Sequence, residues 1–179
     1  MNNLKKYLSS IFIGTLFLGT LVACEDQGYD EYEEKVTPTV ALNGEWWIDV
    51  SDAEGNVYVQ HALHRTYDPG DNSGRMMISD RLAGADPQSM DPLDFSGWML
   101  EGRVNVDTQN LTFNATNEFN KADESQFTIT NGKIIKGVVE TASGTMTDSI
   151  YFEGVFDYDP ETTIVFAGHK RTGFEEDEF

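Results

Sequence analysis

Trp98-Met99-Leu100-Glu101-Gly102-Arg103-Val104-Asn105-Val106 is the stretch that decides the fold class. Trp98, Leu100, Val104 and Val106 fall on one side of an extended chain, and Glu101, Arg103 and Asn105 fall on the other. Successive side chains of a strand point to opposite faces, so the pattern predicts a strand with one buried and one wet face. Asp107-Thr108-Gln109-Asn110 then supplies a turn, after which Leu111, Phe113 and Ala115 alternate with Thr112, Asn114 and Thr116. The same core therefore continues on a paired strand. Further on, Phe127-Thr128-Ile129-Thr130 meets Asn131-Gly132 and Lys133-Ile134-Ile135-Lys136 follows. Asn-Gly tolerates the positive φ angles of a type I′ turn, which predicts a hairpin with Ile129 opposite Ile134.

Outward from this centre, alternating runs recur at 44–50, 57–67, 75–79, 138–142, 149–156 and 162–169, and Asp157-Tyr158-Asp159-Pro160 marks a tight turn. No helical period is sustained beyond Pro38. The expectation is an all-β antiparallel meander of about eight strands in one small barrel or sandwich. Residues 84–96, with Pro87 and Pro92, break the rhythm and read as a long loop able to cover one barrel mouth.

The N-terminus speaks for the compartment. Lys5 and Lys6 precede a short apolar run from Ile11 to Ala23, interrupted by Gly14, Thr15, Gly19 and Thr20. A bilayer-spanning helix needs roughly 20 apolar residues, so the run reads as a secretory signal over residues 1–23. Leu21-Val22-Ala23-Cys24 resembles the lipobox of bacterial lipoproteins, which implies acylation of Cys24 and cleavage just before it. A plain signal cleaved after Ala23 would instead leave the chain's one cysteine as a free thiol in an oxidising compartment. Residues 24–39 then form a lipidated cysteine and a tether, and residues 40–179 a single domain. Glu25-Asp26-Gln27-Gly28 through Glu34 is too polar to offset its ordering entropy. Its acidic start resembles the signals that send some lipoproteins to the outer leaflet of the outer membrane, although a spacer need only be soluble.

The chain's formal charge is −19, from 12 basic and 31 acidic residues. Cleavage before Cys24 removes only Lys5 and Lys6, leaving 10 − 31 = −21. Such a charge repels a polyanion at every approach and excludes nucleic acid as a partner.

Asn43-Gly44-Glu45-Trp46-Trp47 resembles the Gly-x-Trp opening of lipocalin-type barrels, where the tryptophan plugs the closed end under a late arginine. The resemblance implies that Arg171, in Gly168-His169-Lys170-Arg171, packs over Trp46 and gains cation–π energy. These segments, with Thr141-Ala142-Ser143-Gly144 and Asp148-Ser149-Ile150-Tyr151-Phe152, resemble a family of Gram-negative lipoproteins, the lipid-binding putative hydrolases. A lipocalin-like barrel of about eight strands and a lipid or other small apolar ligand are what that resemblance implies.

Catalytic motifs are sparse. Gly-x-Ser-x-Gly is absent, and Ser143 stands in a Gly- and Thr-rich turn. His61 and His64 are three apart, which on a strand sends them to opposite faces and prevents shared metal ligation. Asp157, Asp159 and Glu161 are hard oxygen donors without the spacing of a calcium hand. No metal or cofactor is therefore expected. The inward stripe of Trp98, Leu100, Phe113, Phe127, Ile129 and Phe152 is the candidate ligand surface, in a lumen that is either filled by such side chains or leaves room for one small ligand. Three rival functions stay open, one of them a purely structural surface protein with a filled barrel. A sugar-binding surface protein would use outward aromatics, with Trp47, Tyr58 and Tyr151 as candidates, and a lipid-ester hydrolase would set a serine or aspartate beside a histidine inside a cavity.

Overall fold

The computed structural model describes residues 37–178, so the signal segment, Cys24 and the acidic tether lie outside the described residues. The alternating runs fold into eight antiparallel strands: β1 (Gly44–Asp52), β2 (Val57–Tyr67), β3 (Arg75–Ser79), β4 (Glu101–Asp107), β5 (Thr112–Phe119), β6 (Gln126–Glu140), β7 (Met146–Phe156) and β8 (Asp159–Lys170). Each strand pairs with its successor, and β8 returns to β1 from Trp46↔Lys170 to Asp52↔Ile164. This is the all-β antiparallel meander that the alternation predicts, closed into the barrel that the family resemblance implies.

The Asn131-Gly132 hairpin does not form. Residues 126–140 are one continuous strand, and between Thr130↔Glu153 and Lys133↔Tyr151 it carries one residue more than β7. Asn131 takes the left-handed conformation (φ 54°), so the dipeptide makes a bulge where a turn was expected. A Cβ at Gly132 would collide with the carbonyl oxygen of Phe113, its partner on β5. Ile129 and Ile134 are therefore on the same strand. Five residues apart they would face opposite sides of a regular strand, but the bulge resets the alternation and both are buried.

The lumen is full. Phe152 and Phe166 stack at 4.4 Å, Phe113 tilts against Phe152 at 5.7 Å, and Trp46, Ile48, Leu100, Phe127 and Ile150 pack around them. Gly102 of β4 leaves the space that the Phe127 ring fills. At one end a short 3-10 turn, Val40–Leu42, closes over Trp46, whose indole N–H donates to Thr66 Oγ1 at 2.8 Å. That hydroxyl in turn donates to the Leu42 carbonyl at 2.6 Å, so the plug is hydrogen-bonded as well as packed.

Two expectations are corrected. Trp46 pairs with Lys170, and the Lys170 ammonium lies 5.9 Å from the Trp46 ring, while Arg171 lies 5.7 Å from Trp47. Alternation gives neighbours 170 and 171 to opposite faces, and the lumen-side tryptophan takes the lysine. Glu101, expected on a wet face, is only 6% exposed. It does point outward, but the segment joining β3 to β4 folds back over the outer wall and covers it.

Candidate ligand-binding cleft

Of the six residues expected to face a ligand, Leu100, Phe113, Phe127, Ile129 and Phe152 do converge in the lumen. Their exposures of 0–2% leave no water-sized space beside them. They are core, and of the two outcomes left open for the lumen these rings give the filled one. Trp98 differs: half-buried at the mouth away from Trp46, it meets Tyr58 at 5.5 Å and Phe156 at 6.5 Å.

Open space lies outside the barrel wall. A cleft of about 520 Å³ runs between the outward residues Glu45, Arg65, Tyr67 and Glu101 and a roof of Leu82–Ala85. The roof belongs to the long connection between β3 and β4, which thus covers part of the outer wall.

Asp80 anchors the segment that carries this roof. Its carboxylate is fully buried and accepts four backbone N–H groups: Gly97 at 3.1 Å, Trp98 at 2.5 Å and Met99 at 3.0 Å on Oδ2, and Leu100 at 2.8 Å on Oδ1. The ring of donors also holds Met99 at a positive φ of 55°. Beside it, His64 is wholly buried with Nδ1 3.2 Å from the Ala62 carbonyl oxygen. Burial pushes the imidazole pKa below its ordinary value, and the charge of Asp80 opposes that shift without cancelling it.

The next residue, Arg81, ties roof to wall. Its Nε donates to Glu101 Oε2 at 2.6 Å, Nη1 donates to the carbonyls of Asp86 and Ser89, and the guanidinium lies 4.4 Å from the Phe95 ring. Both side chains of the ion pair are over 90% buried. Arg65 donates from Nη2 to the Arg81 carbonyl. The Tyr67 hydroxyl lies within the field of both arginines. Burial raises its pKa, helped by Glu101 and opposed by the two guanidiniums.

Other candidates fall elsewhere. His64 faces the lumen and His61 the outside, where it stacks on Trp47 at 4.4 Å, so the two histidines do sit on opposite faces. That stack and Arg171 occupy the Trp47 ring. Tyr151 borders a separate polar cleft with Asn131 and Glu153, and Lys133 sits 5.1 Å over its ring. The Ser143 hydroxyl donates to Asp177 Oδ2 at 2.7 Å and lies 3.0 Å from Thr145 Oγ1, and no histidine nitrogen bonds a serine hydroxyl among the described residues. The Ser143 cluster instead pins the C-terminal turn Glu175–Asp177 to the β6–β7 connection. Asp157, Asp159 and Glu161 are exposed, and among the described residues no three His, Cys, Asp or Glu side chains converge to hold a metal.

Sequence reasoning missed Asp80, Arg81 and Arg65. The signal was present in Ser79-Asp80-Arg81, two opposite charges directly after the apolar Met76-Met77-Ile78, where a strand end must bury or pair them.

An eight-stranded up-and-down antiparallel barrel with a buried Gly-x-Trp tryptophan at one end is a lipocalin-like fold. The chain belongs to the lipid-binding putative hydrolase family, whose model matches residues 31–175. No curated protein matches it.

Proposed function

We propose that the protein is a cell-envelope lipoprotein, cleaved before Cys24 and anchored by acyl chains on that cysteine, which carries a lipid or other small amphiphile in the outer cleft. The observation that carries the binding site is the 520 Å³ cleft beside a lumen without space. Its volume lies within the roughly 300–1,000 Å³ of small-molecule sites, and it joins apolar Leu82 and Ala83 to a few polar groups. Family membership supports a lipid as the ligand class. Leu21-Val22-Ala23-Cys24 and the acidic residues after it support anchoring at the outer membrane, with the barrel in the periplasm or on the cell surface.

Two measurements test this reading. Metabolic labelling with a fatty acid should mark the wild type and leave Cys24→Ser unlabelled, and label retained by the mutant would refute the anchor. For the cleft, the full-length protein in a non-ionic detergent is titrated with decanoate while its melting temperature is followed. Leu82, 40% exposed in the roof, can be changed without disturbing the core. Leu82→Asp should weaken decanoate by about tenfold or more, because a carboxylate then lines the apolar path. Equal affinity in both proteins would remove the cleft as the site, and no binding to wild type would remove the lipid reading.

A further inference from the structure

The chain has five arginines, and four of them are paired: Arg75 with Glu118 at 2.5 Å, Arg81 with Glu101 at 2.6 Å, Arg103 with Asp71 at 2.5 Å and Arg171 with Glu178 at 2.7 Å. Arg65 forms no such ion pair among the described residues. Its cross-strand partner is Glu45, but that carboxylate reaches Arg171 at 2.9 Å. In a chain of net charge −19, where carboxylates outnumber cations more than twofold, an arginine left over is unexpected. Arg65 lines the cleft.

Its donors are also left over. Arg65 Nε and Arg81 Nη2 are both buried without a hydrogen-bond partner, and both guanidiniums line the same cleft beside the Tyr67 hydroxyl. Arg65 therefore brings its charge to the cleft wall without a carboxylate of its own. Glu101 already neutralises Arg81, which leaves Arg65 as the uncompensated charge. The roof opposite, Leu82–Ala85, offers only small and apolar side chains.

Resting on the lipid reading above, we propose that the cleft selects an anionic amphiphile, a fatty carboxylate or an alkyl phosphate, whose head group pairs with Arg65 while its chain lies under Leu82 and Ala83. A guanidinium meets a carboxylate or phosphate through parallel N–H donors, which rewards a planar or tetrahedral oxyanion over a hydroxyl. The negative surface elsewhere repels such a ligand at long range, so recognition depends on this local cation.

Native mass spectrometry of the full-length protein, released from a non-ionic detergent, can compare decanoate, decyl phosphate, decanol and inorganic phosphate. Decanoate and decyl phosphate should each bind at least about tenfold more tightly than decanol, the effect of one charge-assisted hydrogen bond. The ratio of decanoate to decanol affinity should fall to near one in Arg65→Gln and take an intermediate value in Arg65→Lys. A wild type that holds decanol as tightly as decanoate overturns the head-group proposal and leaves the lipid reading standing. Failure of all three chain-bearing probes removes the lipid reading itself. Inorganic phosphate binding as well as decyl phosphate makes the site one for a free anion and overturns the amphiphile. If Arg65→Gln does not fold, Leu82→Asp decides: its carboxylate should weaken decanoate more than decanol, and equal weakening overturns the proposal.

Discussion

Replacing Asp80 with asparagine keeps the side chain's shape and removes its charge and half of its acceptor capacity. In the wild type, Oδ2 accepts from Gly97, Trp98 and Met99 and Oδ1 from Leu100, all from a site with no exposure. An asparagine carbonyl can replace one oxygen, but its NH₂ group then faces backbone donors. If the carbonyl keeps the three donors on Oδ2, the Leu100 N–H is orphaned; in the other orientation three are. An orphaned buried donor costs about 1–3 kcal/mol, and the surviving bonds lose their charge assistance, so the expected loss is about 3–5 kcal/mol. That is a large part of the roughly 5–15 kcal/mol that holds a domain of this size together. Urea unfolding followed by tryptophan fluorescence measures it directly. Hydrogen exchange adds locality: the amides of residues 97–100 should exchange faster in Asp80→Asn under native conditions, ahead of those in β6 and β7. Asp80→Asn unfolding within about 0.5 kcal/mol of wild type, a typical surface-mutation change, would refute the clamp.

Three further outcomes follow from particular contacts. Lys170→Ala should cost about 1 kcal/mol through the lost cation over Trp46 and its stem, and thermal melts should give the same loss at about 1 M salt, whereas any loss from Arg171→Ala, whose partly exposed pairs are screened there, should shrink. Gly132→Ala should cost about 1–3 kcal/mol, read by chemical denaturation, since its Cβ meets backbone at Phe113, and a neutral result would contradict the bulge. Stability should also fall in acid. Burial alone would raise the Asp177 pKa, but hydrogen bonds from Thr172, Ser143 and Thr141 outweigh it and hold the carboxyl well below the usual range; Ser73 and Arg103 hold Asp71 down at about 2. Groups whose folded pKa is depressed stabilise the fold above the unfolded value and lose that contribution as pH drops through the folded one. Melting temperature should therefore decline as the pH is lowered below about 4, less steeply in Asp177→Asn, and parallel curves would remove Asp177 from the acid limb.

The strands were legible because alternation is a local signal. Residues 57–67 and 75–79 were read to their ends, since a barrel wall with one packed face leaves its period in every strand. What failed depended on partners. Asn131-Gly132 has the dihedral freedom for a turn and for a bulge, and only the continuous pairing of β6 with β7 chooses between them. Arg171 was assigned to Trp46 by resemblance, but the register of β1 against β8 sets which neighbour faces inward. The outer cleft was invisible for a third reason. Alternation says that Glu101 and Arg65 point away from the core, and it is silent about a loop returning to cover them.

Composition links these outcomes. The same aromatic stripe that suggested a ligand in the lumen is what fills it: Phe113, Phe127, Phe152 and Phe166 pack together there. An eight-stranded barrel is only wide enough to be filled or to hold one small molecule, so rings on several strands decide for filling. Without a disulfide among its described strands, such a barrel depends on that dense packing. Capacity for a ligand then has to come from outside the wall, where the connection from Asp80 to Leu100 is long enough to enclose a volume and is held at its base by four backbone donors on one carboxylate. In the proposed reading stability and recognition are thereby separated, and the loop over the cleft can change its side chains while the barrel beneath keeps its core.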